Sequence, residues 1–485
     1  MPPSLSDFAF EARIAAQSLA DSLGGLARPT VRLGVTGLSR SGKTVFITAL
    51  VHALLRGARL PVFRAHAQGR IRKVTLEHQP DDAVPRFAYE DHLAALSGPD
   101  RRWPESTSRI AELRLVVEYE SATSWLSGPR TLTVDIVDYP GEWLLDLSLL
   151  SKSYAEWSRE TIAACREGAR APVSAAFLEA AGGLDPFRPA DEGAARRISD
   201  LFKEALAAAR VEPLSFSALP PGRFLMPGDL AGSPALTFAP LDLPADGAPP
   251  SGSLAATMER RYEAYRSHVV RPFFRDHFAR LDRQIVLVDA MAALNAGPSA
   301  VSDLERALDD VLLSFRTGRN TLLSALLSPR IDRVLFAATK ADHLHHSSHD
   351  RLEAVLALLV DRARRRAEGL GARVDVAALA SIRATREAQV RQGREELSAI
   401  VGKPLAGEVI GGESFDGETE AAVFPGELPQ DPAAALASAG QADYGLRFVR
   451  FRPPAATTGP DGRAAALPHI RLDRALEFLL GDRLT

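Results

Sequence analysis

Apolar side chains recur at helical spacing over residues 5–24 (Leu5, Phe8, Phe10, Ile14, Leu19, Leu23), and Gly24-Gly25 ends the pattern, which predicts an N-terminal helix. The period then shortens. Val31–Thr36 is a β-branched and apolar run leading into a glycine-rich turn, and Thr44–Leu55 resumes helical spacing. Ile110–Tyr119 and Thr131–Val137 are two further strand-like runs, with Ser127-Gly128-Pro129 as turn residues between them, so the pair predicts a β-hairpin. Residues 144–180, 191–210 and 254–283 carry helix-forming residues. The stretch 212–253 is rich in Pro, Gly, Ser and Ala and reads as a loop or partly mobile excursion. Strands return at Ile285–Val288 and Val334–Ala338, and more weakly at Val374–Leu379, with helices expected over 301–327 and 350–369. Residues 402–470 are Gly-, Pro- and Ala-rich, interrupted by a strand-like run, Gly445–Phe451. An amphipathic helix is expected near 471–480.

Strand, turn and helix alternating in this order predict an α/β fold with a doubly wound, mostly parallel sheet. The expected division is an N-terminal helix (1–28), a first core half (29–141), a helical insertion (142–283), a second core half (284–400) and a C-terminal segment (401–485) whose strand and helix pack on the core. No internal repeat is visible.

Composition narrows the function. The 485 residues carry 58 basic and 61 acidic side chains, a formal charge of −3, so no global field favours nucleic acid as the main partner. Cys165 is the single cysteine, which excludes an intramolecular disulfide and a cysteine-based zinc site. The first twenty residues contain acids and no continuous apolar stretch, arguing against a secretory signal. No uncharged apolar run reaches spanning length either. The expectation is a cytoplasmic protein that does not insert into a membrane itself.

Three motifs carry the chemistry. Gly37-Leu38-Ser39-Arg40-Ser41-Gly42-Lys43-Thr44 matches G-x-x-x-x-G-K-[ST], the Walker A pattern or P-loop, between a predicted strand and a predicted helix. Its glycines let backbone N–H groups point inward at phosphate oxygens, so Ser39, Arg40, Ser41, Gly42, Lys43, Thr44 and Val45 are the expected phosphate contacts. Lys43 would reach the β- and γ-phosphates, and the Thr44 hydroxyl would ligate Mg²⁺. Asp138-Tyr139-Pro140-Gly141 follows the second hairpin strand. There the Asp138 carboxylate can hold Mg²⁺ through water, and the Gly141 amide can approach a γ-phosphate. Thr339-Lys340-Ala341-Asp342 follows a strand in the position of [NT]-K-x-D. The Asp carboxylate of that motif accepts both donors of a guanine edge, and adenine offers no such pair there. Ala380-Ser381-Ile382-Arg383-Ala384-Thr385 then sits where GTPases place a backbone contact to the guanine oxygen, which makes Ser381 and Ile382 candidates.

With these motifs the sequence resembles the YcjX-like family of bacterial stress-associated P-loop proteins. The resembling stretches are GLSRSGKTVFITALVHALL, Trp103-Pro104-Glu105-Ser106-Thr107, DYPGEWLLDLSLL, RQIVLVDAMAALNAGP, FAATKADHLHH and PHIRLDRALEFLLGDRL. The resemblance implies a GTP/GDP-binding protein with a Ras-like core, a helical insertion and a role in envelope stress. It also implies a protein partner in the membrane, and hence a position peripheral to the inner membrane.

Several assignments stay open at this level. Thr107 precedes the 110–119 strand at the distance expected of a switch threonine that completes the Mg²⁺ shell, with Ser106 and Ser108 as rivals. Arg102, beside Arg101, is a candidate for stabilising transition-state charge in cis, and exposed solubilising arginines read the same way. Glu142 stands where Ras-like proteins often carry a glutamine that orients the attacking water. Its charge opposes the γ-phosphate, so slow hydrolysis is expected. The alternatives are a P-loop ATPase and a nucleotide-binding scaffold with little turnover. Asp289 can cap a helix or touch the Mg²⁺ shell. His343, His345, His346 and His349 fit either a metal or a polar capping loop.

Overall fold

The computed structural model describes residues 29–37, 40–105, 109–122, 128–168, 170–209, 219–244, 248–313, 331–392, 395–410, 412–440, 446, 448–455 and 465–485. The expected helix over 5–24, the residues Ser39 and Thr107, and the end of the 301–327 helix lie outside them. The chain divides into two compact units. One comprises Met1–Tyr139, Leu281–Gly297 and Pro329–Thr485, the other Pro140–Arg280 and Pro298–Ser328.

The first unit is built on a seven-stranded sheet: β1 (Thr30–Gly37), β2 (Ile71–Glu77), β3 (Ala111–Tyr119), β4 (Arg130–Asp138), β5 (Arg283–Val288), β6 (Arg333–Ala338) and β7 (Arg373–Ala378), in the order β2-β3-β4-β1-β5-β6-β7. β4, β1, β5, β6 and β7 run parallel, and β3 is antiparallel to both β4 and β2. The expected hairpin is therefore present as β3–β4. The central strands are continuously buried, as strands covered on both faces must be, and β5 has no exposed position. From β1 the chain passes to the edge strand β2, builds back inward through β3 and β4 to lie beside β1, and then continues on the other side of β1 through β5, β6 and β7. This reversal at β1 opens a crevice at the carboxyl ends of the central strands.

The helix Lys43–Arg56 follows β1 and buries Phe46, Ile47, Leu50, Val51 and Leu54 in the sheet core. The C-terminal helix Leu472–Leu480 adds Leu472, Leu476, Leu479 and Leu480 to the same core. It is tied down by fully buried Arg283, whose guanidinium donates to Asp482 Oδ2 (2.8 Å) and Asp332 Oδ2 (3.2 Å).

Three features differ from expectation. β2 is an edge strand with a polar, half-exposed pattern that gives little periodic signal. Residues 386–423 fold into a small antiparallel sheet of β8 (Arg386–Gln392), β9 (Glu395–Gly402) and β12 (Ala421–Val423), with a short hairpin of β10 (Val409–Ile410) and β11 (Glu413–Ser414) between the last two. The expected strand Gly445–Phe451 is not one over its described residues, where Phe451 forms only an isolated bridge to Pro404. Its pairing there is limited to the Leu405 N–H on the Arg450 carbonyl and the Arg452 N–H on the Lys403 carbonyl, and the Phe451 ring packs with Ile400, Val423 and Val449 over Gly402, where a Cβ would come within 2.7 Å of it.

The second unit is helical, with Tyr154–Cys165, Arg170–Gly182, Glu192–Ala208, Leu254–Tyr265 and Pro298–Leu313 as its main helices. Ser153 and Glu156 form a reciprocal capping box that starts the first of these. The core is aromatic. Trp157 stacks on Tyr262 at 5.1 Å between centroids and meets Phe202 and Phe238 edge-on. The Pro/Gly-rich stretch, expected as a loop or partly mobile excursion, is an irregular loop over its described part, and it is packed. Residues 219–244 lack long helices but bury Phe224, Leu236, Phe238, Ala239 and Leu241 against those rings. The proline content suppresses regular structure without suppressing packing.

Candidate functional site

The P-loop leaves β1 at Gly37. A Cβ there would lie 2.3 Å from Ser41 Oγ and 2.5 Å from the Leu287 carbonyl, so only glycine lets the loop turn back over β5. Arg40 (φ 62°) and Gly42 (φ 90°) both adopt left-handed backbone, which curls the loop before the helix begins at Lys43. Lys43 is buried, and its ammonium donates to the Gly37 carbonyl at 3.0 Å, closing the loop on itself. Ser41 Oγ is buried and has no hydrogen-bond partner among the described residues. A buried ammonium and an unsatisfied hydroxyl beside the left-handed turns at Arg40 and Gly42 fit a polyphosphate, whose oxygens would accept from both.

Thr44 is buried, and its hydroxyl donates to the Glu105 carbonyl at 3.4 Å, which brings the chain just ahead of the Thr107 segment to the P-loop. Val45 is partly buried against the sheet core, so its contribution to a ligand would come from the backbone. Asp138 ends β4 in register with Val35 of β1 and is buried. Beside it, the fully buried Tyr139 accepts from Gln284 Nε2 through its hydroxyl at 3.1 Å. Burial pushes that phenol far above its usual range, so it stays neutral. Gly141 and Glu142 belong to the second unit. Both are buried, at the start of the short helix Glu142–Leu145. Arg102 is exposed, its backbone N–H donating to the Ala95 carbonyl.

The T-K-x-D residues leave β6 at the same edge of the sheet, since Val288, Ala338 and Ala378 are in register. The Thr339 N–H and hydroxyl both donate to the Val288 carbonyl, at 2.9 and 3.3 Å. Lys340 takes a left-handed conformation (φ 60°), and its ammonium pairs with Asp289 Oδ2 at 2.5 Å. Asp289 in turn caps the helix Ala290–Ala296 through the Ala292 N–H, so it acts as a cap and as the anchor of Lys340. Asp342 is 4% exposed. Its Oδ2 accepts the Ala384 N–H at 2.8 Å and its carbonyl accepts the Thr385 hydroxyl at 2.5 Å. The loop 380–385 is thereby drawn onto the T-K-x-D turn. Ser381 is half-buried, while the Ile382 side chain is committed to the sheet core and can offer only its backbone to a ligand. Sequence reasoning missed Tyr139, Gln284 and Ala384 as parts of this arrangement. Two act through a buried hydrogen bond and the third through a main-chain N–H, and neither leaves a sequence signature.

The YcjX-like family, DUF463, matches residues 31–484. The chain belongs to the YcjX-like family. It is similar to the "Ras-like GTPase YcjX" of Escherichia coli (strain K12), with 40% identity over 466 residues that cover 94% of this chain and 96% of the relative. It is also similar to the "Ras-like GTPase YcjX" of Shewanella oneidensis, with 35% identity over 482 residues covering 94% of each. Among the described residues no helix of this family member is long and apolar enough to cross a membrane.

Proposed function

We propose that the chain is a Mg²⁺-dependent GTP-binding protein with a Ras-like P-loop core, which hydrolyses GTP to GDP and phosphate slowly and acts as a nucleotide-controlled switch. The observation that carries the reading is that the P-loop, leaving β1, and the Ala384-held Asp342 carboxylate, leaving β6, stand at the same carboxyl edge of the sheet with β5 between their strands. The names of the two relatives support guanine specificity.

In this reading Lys43 exchanges its bond to Gly37 for phosphate oxygens, and the amides of Ser39 to Val45 complete the cradle. Thr44, Thr107 and Asp138 would hold Mg²⁺, whose chemistry is to neutralise charge on the phosphates. Thr339 and Lys340 position the base-binding turn, Asp342 accepts the guanine donors, and the backbone of Ser381 and Ile382 meets the guanine oxygen. Gly141 and Glu142 enter through their place in the sequence after Asp138, as the γ-phosphate sensor and the neighbour of the attacking water. Arg102 is the candidate for transition-state charge. The helical insertion expected over 142–283, to which the second unit adds Pro298–Ser328, would present nucleotide-dependent surface to a protein partner. The stress role, the membrane-protein partner and a cytoplasmic, peripheral location rest on the family resemblance.

Glu142 favours a second reading in which turnover is negligible and the bound nucleotide only sets a docking surface. Displacement of a fluorescent GTP analogue from the full-length protein, with excess GTP, GDP or ATP as competitor, tests the proposal. GTP and GDP should displace it and ATP should not. Equal displacement by ATP would mean a general P-loop nucleotidase. Phosphate release measured on the same preparation separates slow turnover from none.

A further inference from the structure

The four histidines after Asp342 do not act together. The His343 ring packs on Phe451, and burial pushes its imidazole below the usual range. His349 is buried and contacts the Leu344 carbonyl at 3.2 Å. His345 and His346 instead turn toward Glu387 on β8. His346 Nδ1 lies 2.7 Å and His345 Nε2 3.9 Å from the same carboxylate oxygen, Oε2. One donor atom from each of the three residues lies within 4.8 Å of the others.

The geometry points to a site for a divalent transition-metal ion of the zinc class, held by His345 Nε2, His346 Nδ1 and Glu387. Two imidazoles and one carboxylate are the borderline donor set that zinc takes, leaving a fourth position for water. Metal–ligand bonds of about 2.0–2.2 Å at tetrahedral angles put ligand atoms roughly 3.3–3.5 Å apart, and the two distances to Oε2 fall on either side of that value. Reaching that separation takes a rotation of His346, which is 66% exposed, away from Oε2, and a shift of the Glu387 carboxylate toward His345.

The supporting contacts are those of a metal site. His345 is buried, and its other nitrogen, Nδ1, lies 3.0 Å from Ser347 Oγ. A metal on Nε2 needs the ring proton on Nδ1, which would donate to the Ser347 hydroxyl and give up the 3.4 Å contact by which Nδ1 accepts the Ser347 backbone N–H in this capping turn. The second carboxylate oxygen of Glu387 accepts from Arg383 at 3.2 Å, which fixes the carboxylate and leaves Oε2 pointing at the two rings. An ordinary ion pair would account for His346 and Glu387. The second, buried imidazole, which also caps the turn at His346–Ser348, lies 3.9 Å from the same oxygen and supplies the third ligand of the set.

The test uses tag-free, full-length protein stripped with chelator. Zinc is titrated against a chromophoric chelator, and Co²⁺ is titrated in parallel with the visible spectrum recorded. The wild type should take up about one equivalent of zinc at this site and give the intense absorption of tetrahedral cobalt. His346→Ala and Glu387→Gln, both at positions with solvent access, should each weaken zinc binding at least about tenfold, while exposed His268→Ala leaves it unchanged. Circular dichroism of each variant verifies the fold. Zinc uptake and cobalt spectrum indistinguishable between wild type and the His346→Ala/Glu387→Gln double variant would overturn the assignment. So would absence of any stoichiometric uptake by the wild type. Neither readout involves nucleotide, so this result and that of the GTP displacement assay are independent.

Discussion

Tyr265→Phe removes one oxygen from the core of the second unit and leaves its carbon packing intact. Tyr265 is fully buried, and its hydroxyl donates to Asp146 Oδ2 at 2.5 Å. Asp146 is itself buried and also accepts the Gly222 N–H at 2.6 Å and the Arg223 N–H at 3.3 Å. Those two amides lie in the Pro-rich stretch, so one carboxylate fastens residues 222–223 to the segment that follows Gly141. Trp143 reinforces it, donating to the Met226 carbonyl at 3.1 Å while the Arg223 guanidinium lies 3.2 Å from its ring centroid. Burial raises the Asp146 carboxyl from the ordinary 3.8 to about 6, against the lowering by its donors, Tyr265 first among them.

The sign of the pH effect follows from that raised value. The group's stabilising contribution is fully present below pH 3.8 and is lost as pH rises through about 6, a difference of about 3 kcal/mol. A hydrogen bond to an ionised acceptor is worth about 1.5–3 kcal/mol, and one to a neutral acid about 0.5–1.5 kcal/mol. Tyr265→Phe should therefore destabilise by about 1.5–3 kcal/mol at pH 8 and by clearly less at pH 5, where Asp146 is protonated in the fold. Urea unfolding followed by tryptophan fluorescence at both pH values measures this, because Trp143 and Trp157 report on the second unit. An equal loss at pH 5 and pH 8, or no loss at either, would refute the reasoning.

Two further substitutions probe the nucleotide site. Gly37→Ala places a methyl within 2.3 Å of Ser41 Oγ and 2.5 Å of a backbone carbonyl, so GTP binding should fall at least about tenfold while the sheet stays folded. Equilibrium titration with a fluorescent analogue, alongside circular dichroism, decides it, and wild-type affinity would count against the closed-loop geometry. Glu142→Gln removes a negative charge and supplies a donor. Single-turnover phosphate release should rise about tenfold, and an unchanged rate would remove Glu142 from the account of slow hydrolysis.

The parallel half of the fold was legible because its strands are buried on both faces and read as unbroken apolar runs. β5 and β6 were found this way to within two residues, and the weaker β7 run also proved to be a strand. What escaped was polar. β8 reads REAQVRQ, a composition equally at home in a helix, and its strand character comes from pairing with β9. The same sheet places Glu387 beside His345 and His346, a contact about forty residues away in sequence that no local spacing announces. Conversely, proline and glycine mark the described part of 212–253 as the loop it is, but say nothing about whether Phe224 and Phe238 are buried. In the candidate site the P-loop was visible because its glycines meet backbone demands few residue types can meet, and T-K-x-D because its carboxylate has a specific side-chain role after a strand. The Ala384 amide was invisible because any residue can supply an N–H.

The most direct test of a guanine-selective site is Asp342→Asn. The asparagine oxygen can keep the Ala384 N–H now held by Oδ2, turning its amide donor toward the base, which suits the 2-oxo group of xanthine and opposes the 2-amino group of guanine. Titration of both nucleotides against wild type and variant should show the ratio of GTP to xanthosine triphosphate affinity falling at least about 100-fold. A variant that still prefers GTP as strongly as the wild type would contradict the account.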